Sequence, residues 1–407
     1  MGDLRAQITA ITTGERRFLE LIRRYGRQDV LAAISAIMDQ SEAAARARTL
    51  AIPDGNYEAE SFMDDDGVNV GERIPIRVRI EVHGDEMTVD LTDVSKQVRG
   101  FYNSGVTTGH ACAQVAFKCL TSPTDYPVND GSFRNLKTII PMGRVVSAVK
   151  PAPMRWWMTF PMTIVDTVFK ALSTAIPDQV IAGHHADLVI SMFNGLNPKT
   201  SEFFIAFVGP TGGGWGAKQR EDGVSATVCL NDGDTHNGPV EQLEAKFPIL
   251  IESHSLREDS GGPGRQRGGL GIESIVRARS NITVNTQIDR VHCAPWGLHG
   301  GGPAAGNSVS VRHDGEWRDD FPNAKMLTAR LGPGDAFAMR SGGGGGFGPA
   351  IERPVETVLR DVRHGYVSLG SAEQNYGVVC DPETLDLDEV ETKKRRAELK
   401  LSNLRAD

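Results

Sequence analysis

The sequence has little cysteine, no long hydrophobic run and no excess of basic residues, and each of these features excludes a class of protein. Five cysteines occur in 407 residues, and no two of them form a Cys-x-x-Cys pair. We therefore expect no disulfide framework and no closed structural zinc site, but a reducing, cytoplasmic setting. No apolar stretch approaches the roughly 20 residues that span a bilayer, so we expect no membrane association. Acidic residues outnumber basic ones by 52 to 44, which argues against a nucleic-acid-binding protein.

Glycine, by contrast, is abundant and unevenly distributed. The chain has 45 glycines among 407 residues, whereas the usual share is about 7%. Most of them cluster between Gly209 and Gly348. Short apolar runs alternate there with glycine clusters, a rhythm that is typical of β-strands joined by tight turns.

A helical period runs through the first 50 residues. Leu4, Ile8 and Ile11 follow a spacing of three and four, and a second helix is indicated over residues 29–49, with Val30 among the positions that face inward. The pattern predicts a helical hairpin, and in its second helix four apolar positions are expected to face inward: Val30, Ile34, Ile37 and Met38.

Beyond this hairpin the period changes to two. Alternating apolar residues at 76–82 and 87–91 predict a β-hairpin, and helices are indicated over 106–120 and 162–175. We therefore expect an α+β protein with an N-terminal helical hairpin, a mixed α/β middle and a glycine-rich, mostly β C-terminal region. The predicted segments are a helical hairpin at 1–50, a mixed α/β domain at 51–185, a glycine-rich β-dominated domain at 186–380 and a charged tail at 381–407.

The run His184-His185-Ala186-Asp187 is the densest cluster of chemically active side chains. Adjacent histidines on a strand point to opposite faces, and no third ligand is near in sequence, so no metal site is assigned here. The pair has either a structural role or a role in catalysis. The second interpretation gives His184, Asp187 and His236 as candidate catalytic residues.

A glycine run over residues 212–217 surrounds Trp215. No Lys-Ser/Thr pair follows it, so it is not a P-loop. It is either a tight turn that packs Trp215 against a sheet or a stretch of backbone that lines a substrate or protein interface. The second interpretation gives Gly213, Gly214, Trp215 and Lys218 as candidate substrate-binding residues.

Three further patterns have a structural interpretation and a chemical one. The carboxylates of Asp64-Asp65-Asp66 and those of Asp232 and Asp234 could hold a metal or act as acid and base, but solvated turns are expected. The second glycine run, at 342–346, is either structural or a phosphate loop. Cys293 beside His292 is either a nucleophile or an ordinary buried thiol.

Several of these patterns recur, in the same order, in a known family. The motifs shared with it are Gly2-Asp3-Leu4-Arg5-Ala6-Gln7, Pro53-Asp54-Gly55, Asp64-Asp65-Asp66-Gly67, Gly212-Gly213-Gly214-Trp215-Gly216-Ala217, Asp259-Ser260-Gly261-Gly262-Pro263-Gly264, Arg267-Gly268-Gly269-Leu270-Gly271 and Pro295-Trp296-Gly297-Leu298. Over residues 1 to about 380, the sequence resembles the hydantoinase B/oxoprolinase family.

The resemblance implies a B-type subunit of an ATP-dependent cyclic-amide hydrolase, which opens a hydantoin, 5-oxoproline or another lactam ring. ATP and Mg would be bound by an A-type ATPase subunit, so a hetero-oligomer is expected. The resemblance leaves two alternatives open: a subunit of an ATP-dependent ketone carboxylase of the acetone or acetophenone type, and a truncated, non-catalytic scaffold.

The resemblance also implies where the family's divalent metal lies. Family members carry a leading segment with a Gly-Gly-x-His-x-x-Asp motif, which supplies metal-binding residues in related proteins. This sequence begins at the Gly2-Asp3 motif that follows that segment. We therefore expect the metal ligands in the family's N-terminal segment, and none among the residues of this sequence.

Overall fold

The computed structural model describes residues 1–122, 127–154, 159–230, 235–322, 324–325 and 328–403. The α-helices in these ranges are α1 (Gly2–Tyr25), α2 (Arg27–Thr49), α3 (Val106–Thr121), α4 (Thr159–Leu172), α5 (Val240–Lys246), α6 (Val355–Arg363), α7 (Leu369–Tyr376) and α8 (Glu389–Asn403). The strands are β1 (Gly55–Met63), β2 (Ile74–His83), β3 (Glu86–Asp90), β4 (Leu136–Ile139), β5 (Ser191–Leu196), β6 (Phe203–Val208), β7 (Ile249–Leu256), β8 (Ile272–Ala278), β9 (Ile282–Thr286), β10 (Ser308–His313), β11 (Glu316–Arg318), β12 (Ala329–Leu331) and β13 (Ala336–Arg340). The predicted α+β class is confirmed, as are the helical hairpin and the glycine-rich β region.

The strands form three sheets. Their orders are β1-β2-β3-β4, β11-β10-β13-β8-β7 and β12-β9-β5-β6. The second and third sheets share one hydrophobic core, in which Phe193 of β5 and Val284 of β9 pack with Val276 of β8 and Phe337 of β13. Alternating burial along β8 and β9 follows from the period of two, since one face of each sheet turns toward this core.

The glycine runs form a layer in which extended segments lie backbone against backbone. The Gly344 N–H donates to the Gly269 carbonyl at 2.9 Å, and the Gly262 N–H donates to the Gly344 carbonyl at 2.8 Å. A Cβ on Gly344 would lie 1.9 Å from the carbonyl oxygen of Trp215, so a larger residue does not fit there. The run at 342–346 is therefore part of this layer, as its structural interpretation predicts.

The chain divides into two compact units, and the first comprises residues 1–55, 82–88 and 117–137. In this unit α2 packs against a 3-10 turn at Asp130–Phe133. The Asn129 side chain donates to Ser41 Oγ at 2.9 Å, and a Cβ on Gly131 would lie 2.1 Å from the Met38 carbonyl oxygen. The division into four segments made from the sequence stays a prediction.

The apolar face of α1 is exposed, and of the inward-facing positions expected on α2 the structure buries Val30 but not Ile37. No residue of α1 is buried, and Ile8 and Ile11 are 62% and 72% exposed. Val30 of α2 is buried as expected, whereas Ile37 is 47% exposed. The period of an amphipathic helix shows which residues share a face, but it does not show that anything covers that face.

The second unit comprises residues 56–81, 89–116 and 138–407 and contains the candidate site. Its charged C-terminal segment forms α8. Arg396 of this helix donates hydrogen bonds to the backbone carbonyl oxygens of Tyr376 and Arg353. Among the described residues, no helix is both long enough and apolar enough to cross a membrane.

Candidate active site

Two buried side chains hold His184 in place. Asp166 lies on α4, and its Oδ1 accepts a hydrogen bond from His184 Nδ1 at 2.7 Å. The other carboxylate oxygen accepts from the His184 backbone N–H and from Arg290 Nη2, both at 3.1 Å. Arg290 also donates to the His184 carbonyl oxygen at 3.1 Å. Both the ring and the backbone of His184 are therefore held by hydrogen bonds. All three residues are at most 1% exposed.

The neighbouring His185 is oriented by the glycine layer. Its Nδ1 lies 3.4 Å from the Gly214 carbonyl oxygen, which can only accept, so Nδ1 carries the proton. A Cβ on Gly213 would lie 2.3 Å from Cγ of the imidazole, so the ring fills the space that glycine leaves. Burial, with a smaller contribution from His184, lowers the pKa of His185 to about 3, which keeps the ring neutral.

Each of the two imidazoles has one nitrogen that is not engaged. Within the described residues, Nε2 of His184 and Nε2 of His185 are buried without a hydrogen-bond partner. The ring centroids lie 5.8 Å apart, and the Trp215 ring contacts His184 edge-on at 6.4 Å. Buried polar atoms are rarely left unpaired in proteins, and such atoms suggest a catalytic role or an unseen ligand.

Positive charge and an aromatic ring lie on the other side of Asp166. The guanidinium of Arg290 is 4.9 Å from the Trp296 ring centroid, and Lys170 Nζ is 4.7 Å from the same ring. Lys170 also donates to the Glu60 carbonyl oxygen at 2.8 Å. Burial, and then repulsion from Arg290, lowers the pKa of Lys170. Two cations thus share the Trp296 ring in the neighbourhood of Asp166.

The three consecutive aspartates are not a solvated turn, so that expectation is wrong. Asp64, Asp65 and Asp66 are all at most 2% exposed, and each accepts hydrogen bonds from backbone N–H groups, which for Asp65 belong to residues 67 and 71. Asp64 accepts from residues 291, 292 and 293 at 2.7–3.0 Å, while Asp66 accepts from residues 68, 69 and 100. Burial alone would raise the pKa of Asp66, but these N–H donors lower it. Through these hydrogen bonds the three buried carboxylates connect the segments at residues 67–71, 100 and 291–293.

Asp187 belongs to a neighbouring carboxylate network rather than to His184. Residues 184–187 are not helical, and the Asp187 carboxylate accepts from the backbone N–H groups of Val189 at 2.9 Å and Asp289 at 2.7 Å. Asp289 in turn accepts from Lys325 Nζ at 3.1 Å. Burial raises the pKa of Asp187 to about 7. Burial also raises the pKa of Asp289, to about 6, although the charge of Lys325 acts in the opposite direction.

The structure brings together some of the residues predicted from the sequence and separates others. Gly213, Gly214 and Trp215 lie against the two histidines. Lys218 is exposed and pairs with Glu221 at 2.9 Å. His236 is exposed as well, and Asp232 and Asp234 lie outside the described residues.

The adjacent Cys293 and His292 serve the Asp64 loop. Both donate backbone N–H groups to Asp64, and burial raises the pKa of the Cys293 thiol to about 12. A thiol with so high a pKa is a poor nucleophile near neutral pH. The structure therefore favours the non-catalytic interpretation of this pair.

Sequence reasoning missed Asp166 and Arg290. A signal existed for Asp166, since it is the one acidic residue in the apolar helix α4, and a charged residue on such a helix is seldom buried unless it is paired. No sequence signal connected it to Arg290, which lies 124 positions further along the chain.

The described side chains around the two imidazoles do not fit a divalent metal. The described residues contain no group of three His, Cys, Asp or Glu side chains that could hold one. A zinc-type site needs at least three protein ligands. The two imidazole nitrogens supply two, and the nearby carboxylate of Asp166 is already bonded to His184 and Arg290.

Comparisons with known proteins agree with this architecture. The family model described as Hydantoinase B/oxoprolinase matches residues 1–350. The chain is 30% identical to the B subunit of a putative D-/L-hydantoinase from Pseudomonas sp. (strain NS671), covering 95% of this chain and 66% of that protein. It is 33% identical to the beta subunit of the caprolactamase of Pseudomonas jessenii, with coverages of 97% and 69%.

The fold agrees as well. The crystal structure of the ATP-dependent caprolactamase from Pseudomonas jessenii matches with a TM-score of 0.88 and 30% identity, over 97% of this chain and 69% of that one. The chain thus spans about two thirds of the length of the relatives it matches. This chain belongs to the hydantoinase B/oxoprolinase family.

Proposed function

We propose that this chain is the B-type subunit of an ATP-dependent cyclic-amide hydrolase, acting on a hydantoin, 5-oxoproline or another lactam. The observation that carries the proposal is the pair of buried imidazoles whose Nε2 atoms have no partner among the described residues. Relatives named as the B subunit of a hydantoinase and the beta subunit of a caprolactamase support the same reaction class.

The chemistry follows from the way His184 is held. Since the Asp166 carboxylate accepts the Nδ1 hydrogen, Nε2 is left as the basic nitrogen of the neutral ring. A water molecule that attacks the amide carbon gives its proton to this Nε2, and Asp166 stabilises the imidazolium that forms. The proton then passes to the ring nitrogen as the C–N bond breaks, so that water has been added across that bond.

An unstrained amide is a poor electrophile, so in this proposal the terminal phosphoryl group of ATP would be transferred to the amide oxygen, with release of ADP. Cleavage of the C–N bond would then leave an acyl phosphate, which a second water molecule would convert to the carboxylate and inorganic phosphate. ATP and Mg would be bound by an A-type ATPase subunit, because this sequence has no P-loop. The positive charge of Arg290 and Lys170 beside Trp296 would suit the anionic groups that activation and ring opening create.

The experiment reconstitutes the chain with an A-type ATPase subunit and measures phosphate release with and without a panel of lactams. Lactam-dependent phosphate release that needs both proteins supports the proposal. Release that needs bicarbonate and a ketone would instead identify part of a carboxylase. If no substrate stimulates release and the chain only binds the ATPase, it is a scaffold.

A further inference from the structure

The two histidines differ in the group that faces their Nδ1 atom. His184 Nδ1 lies 2.7 Å from the Asp166 carboxylate. His185 faces a carbonyl oxygen instead, at 3.4 Å, and has the glycine layer packed against its ring. Both rings offer an Nε2 lone pair, but Nδ1 of His184 is bonded to a carboxylate, whereas Nδ1 of His185 faces a neutral carbonyl group.

A neutral imidazole nitrogen without a proton can only accept a hydrogen bond. The partner that completes His185 must therefore be a donor. In a cyclic amide the ring N–H is the donor, since the carbonyl oxygen can only accept. The unpartnered, fully buried Nε2 of His185 is thus complementary to a lactam that keeps its N–H.

We propose that His185 is a specificity-determining residue that accepts a hydrogen bond from the ring N–H of the substrate, while His184 takes the proton from water. The substrate class is then narrowed to secondary cyclic amides, and lactams that are alkylated on this nitrogen are rejected. This inference rests on the proposed function, because it names the substrate feature that the same site recognises.

Tautomers provide a test that does not require turnover. In the ¹⁵N spectrum of the histidine-labelled protein, the signals lost in His184→Gln and His185→Gln identify the two rings. We expect the neutral Nδ1–H tautomer for His185, with an unprotonated Nε2. Caprolactam should shift the His185 Nε2 signal toward that of a hydrogen-bonded nitrogen, whereas N-methylcaprolactam and cycloheptanone should not. A protonated Nε2 in the free protein, or the same shift with all three compounds, overturns the inference.

Kinetics of the assembled enzyme provide the second arm. We expect caprolactam to be opened with at least about tenfold higher kcat/KM than N-methylcaprolactam, the factor that one hydrogen bond supplies. His185→Phe, which removes the acceptor, should lose most of this preference, and His185→Gln, which keeps an acceptor oxygen, should recover part of it. If His185→Phe fails to fold, the ¹⁵N experiment on the wild-type protein still decides the question.

The outcomes separate this inference from the proposed function. Equal turnover of the two lactams, or an unchanged preference in folded His185→Phe, overturns the role of His185 and leaves the hydrolase intact. Failure of the reconstituted enzyme to open any lactam overturns both.

Discussion

Asp166→Ala should be among the most destabilising single substitutions in the chain. The side chain accepts three hydrogen bonds, from the ring and backbone of His184 and from Arg290. Arg290 is 1% exposed, so its guanidinium would be left as a buried charge facing a cavity. Removing one partner of a buried ion pair costs about 3–5 kcal/mol of unfolding free energy.

The measurement is the urea midpoint of unfolding, followed by circular dichroism and by tryptophan fluorescence. Asp320→Ala is the matched control, because Asp320 pairs with Arg318 at a similar 3.1 Å but both side chains are more than 60% exposed. An exposed pair contributes less than about 1 kcal/mol. The double variant Asp166→Ala/Arg290→Met should be more stable than Asp166→Ala, since it removes the unpaired charge. An Asp166→Ala midpoint equal to that of Asp320→Ala would refute the reasoning.

Three further predictions concern the surroundings of the site. Gly213→Ala should lower both the melting temperature and the activity of the assembled enzyme, because the new Cβ would meet the His185 ring at 2.3 Å, whereas Gly238→Ala, with nothing within 4 Å, should change neither. Burial raises the pKa of Asp187 to about 7. Its contribution to stability is therefore fully present below about pH 4 and is lost as the pH rises through 7. The midpoints of urea unfolding should fall as the pH rises from 4.5 to 8, and they should fall less steeply in Asp187→Asn. Lys218→Ala should leave the melting temperature within error, since its ion pair with Glu221 is exposed.

The sequence predicted the secondary elements well wherever a period was sustained. The hairpin of β2 and β3, helix α3 and the strands of the glycine-rich region lie close to the expected positions, because alternation and helical spacing report local geometry directly. The exposure of α1 escaped prediction, since burial depends on what packs against a face.

The site was predicted only in part, for the same physical reason. The His184-His185 pair and the Gly213-Gly214-Trp215 run stood out as local motifs, and the structure places them together. Asp166 and Arg290 reach the site through tertiary packing and carry no local motif. The burial of Asp64 could not be seen either, because the N–H donors that compensate the cost of burying its carboxylate come from residues 291–293, far along the chain.

The most direct test of the proposed chemistry compares His184→Gln with His110→Gln in the assembled enzyme. His110 is an exposed histidine on α3, and its replacement controls for the general effect of the substitution. The account predicts that His184→Gln folds and associates with the A-type ATPase as the wild type does, yet opens lactams about 10²–10⁴-fold more slowly, the usual contribution of a general base. His110→Gln should match the wild type. A folded, assembled His184→Gln enzyme that opens lactams at the wild-type rate would contradict the account.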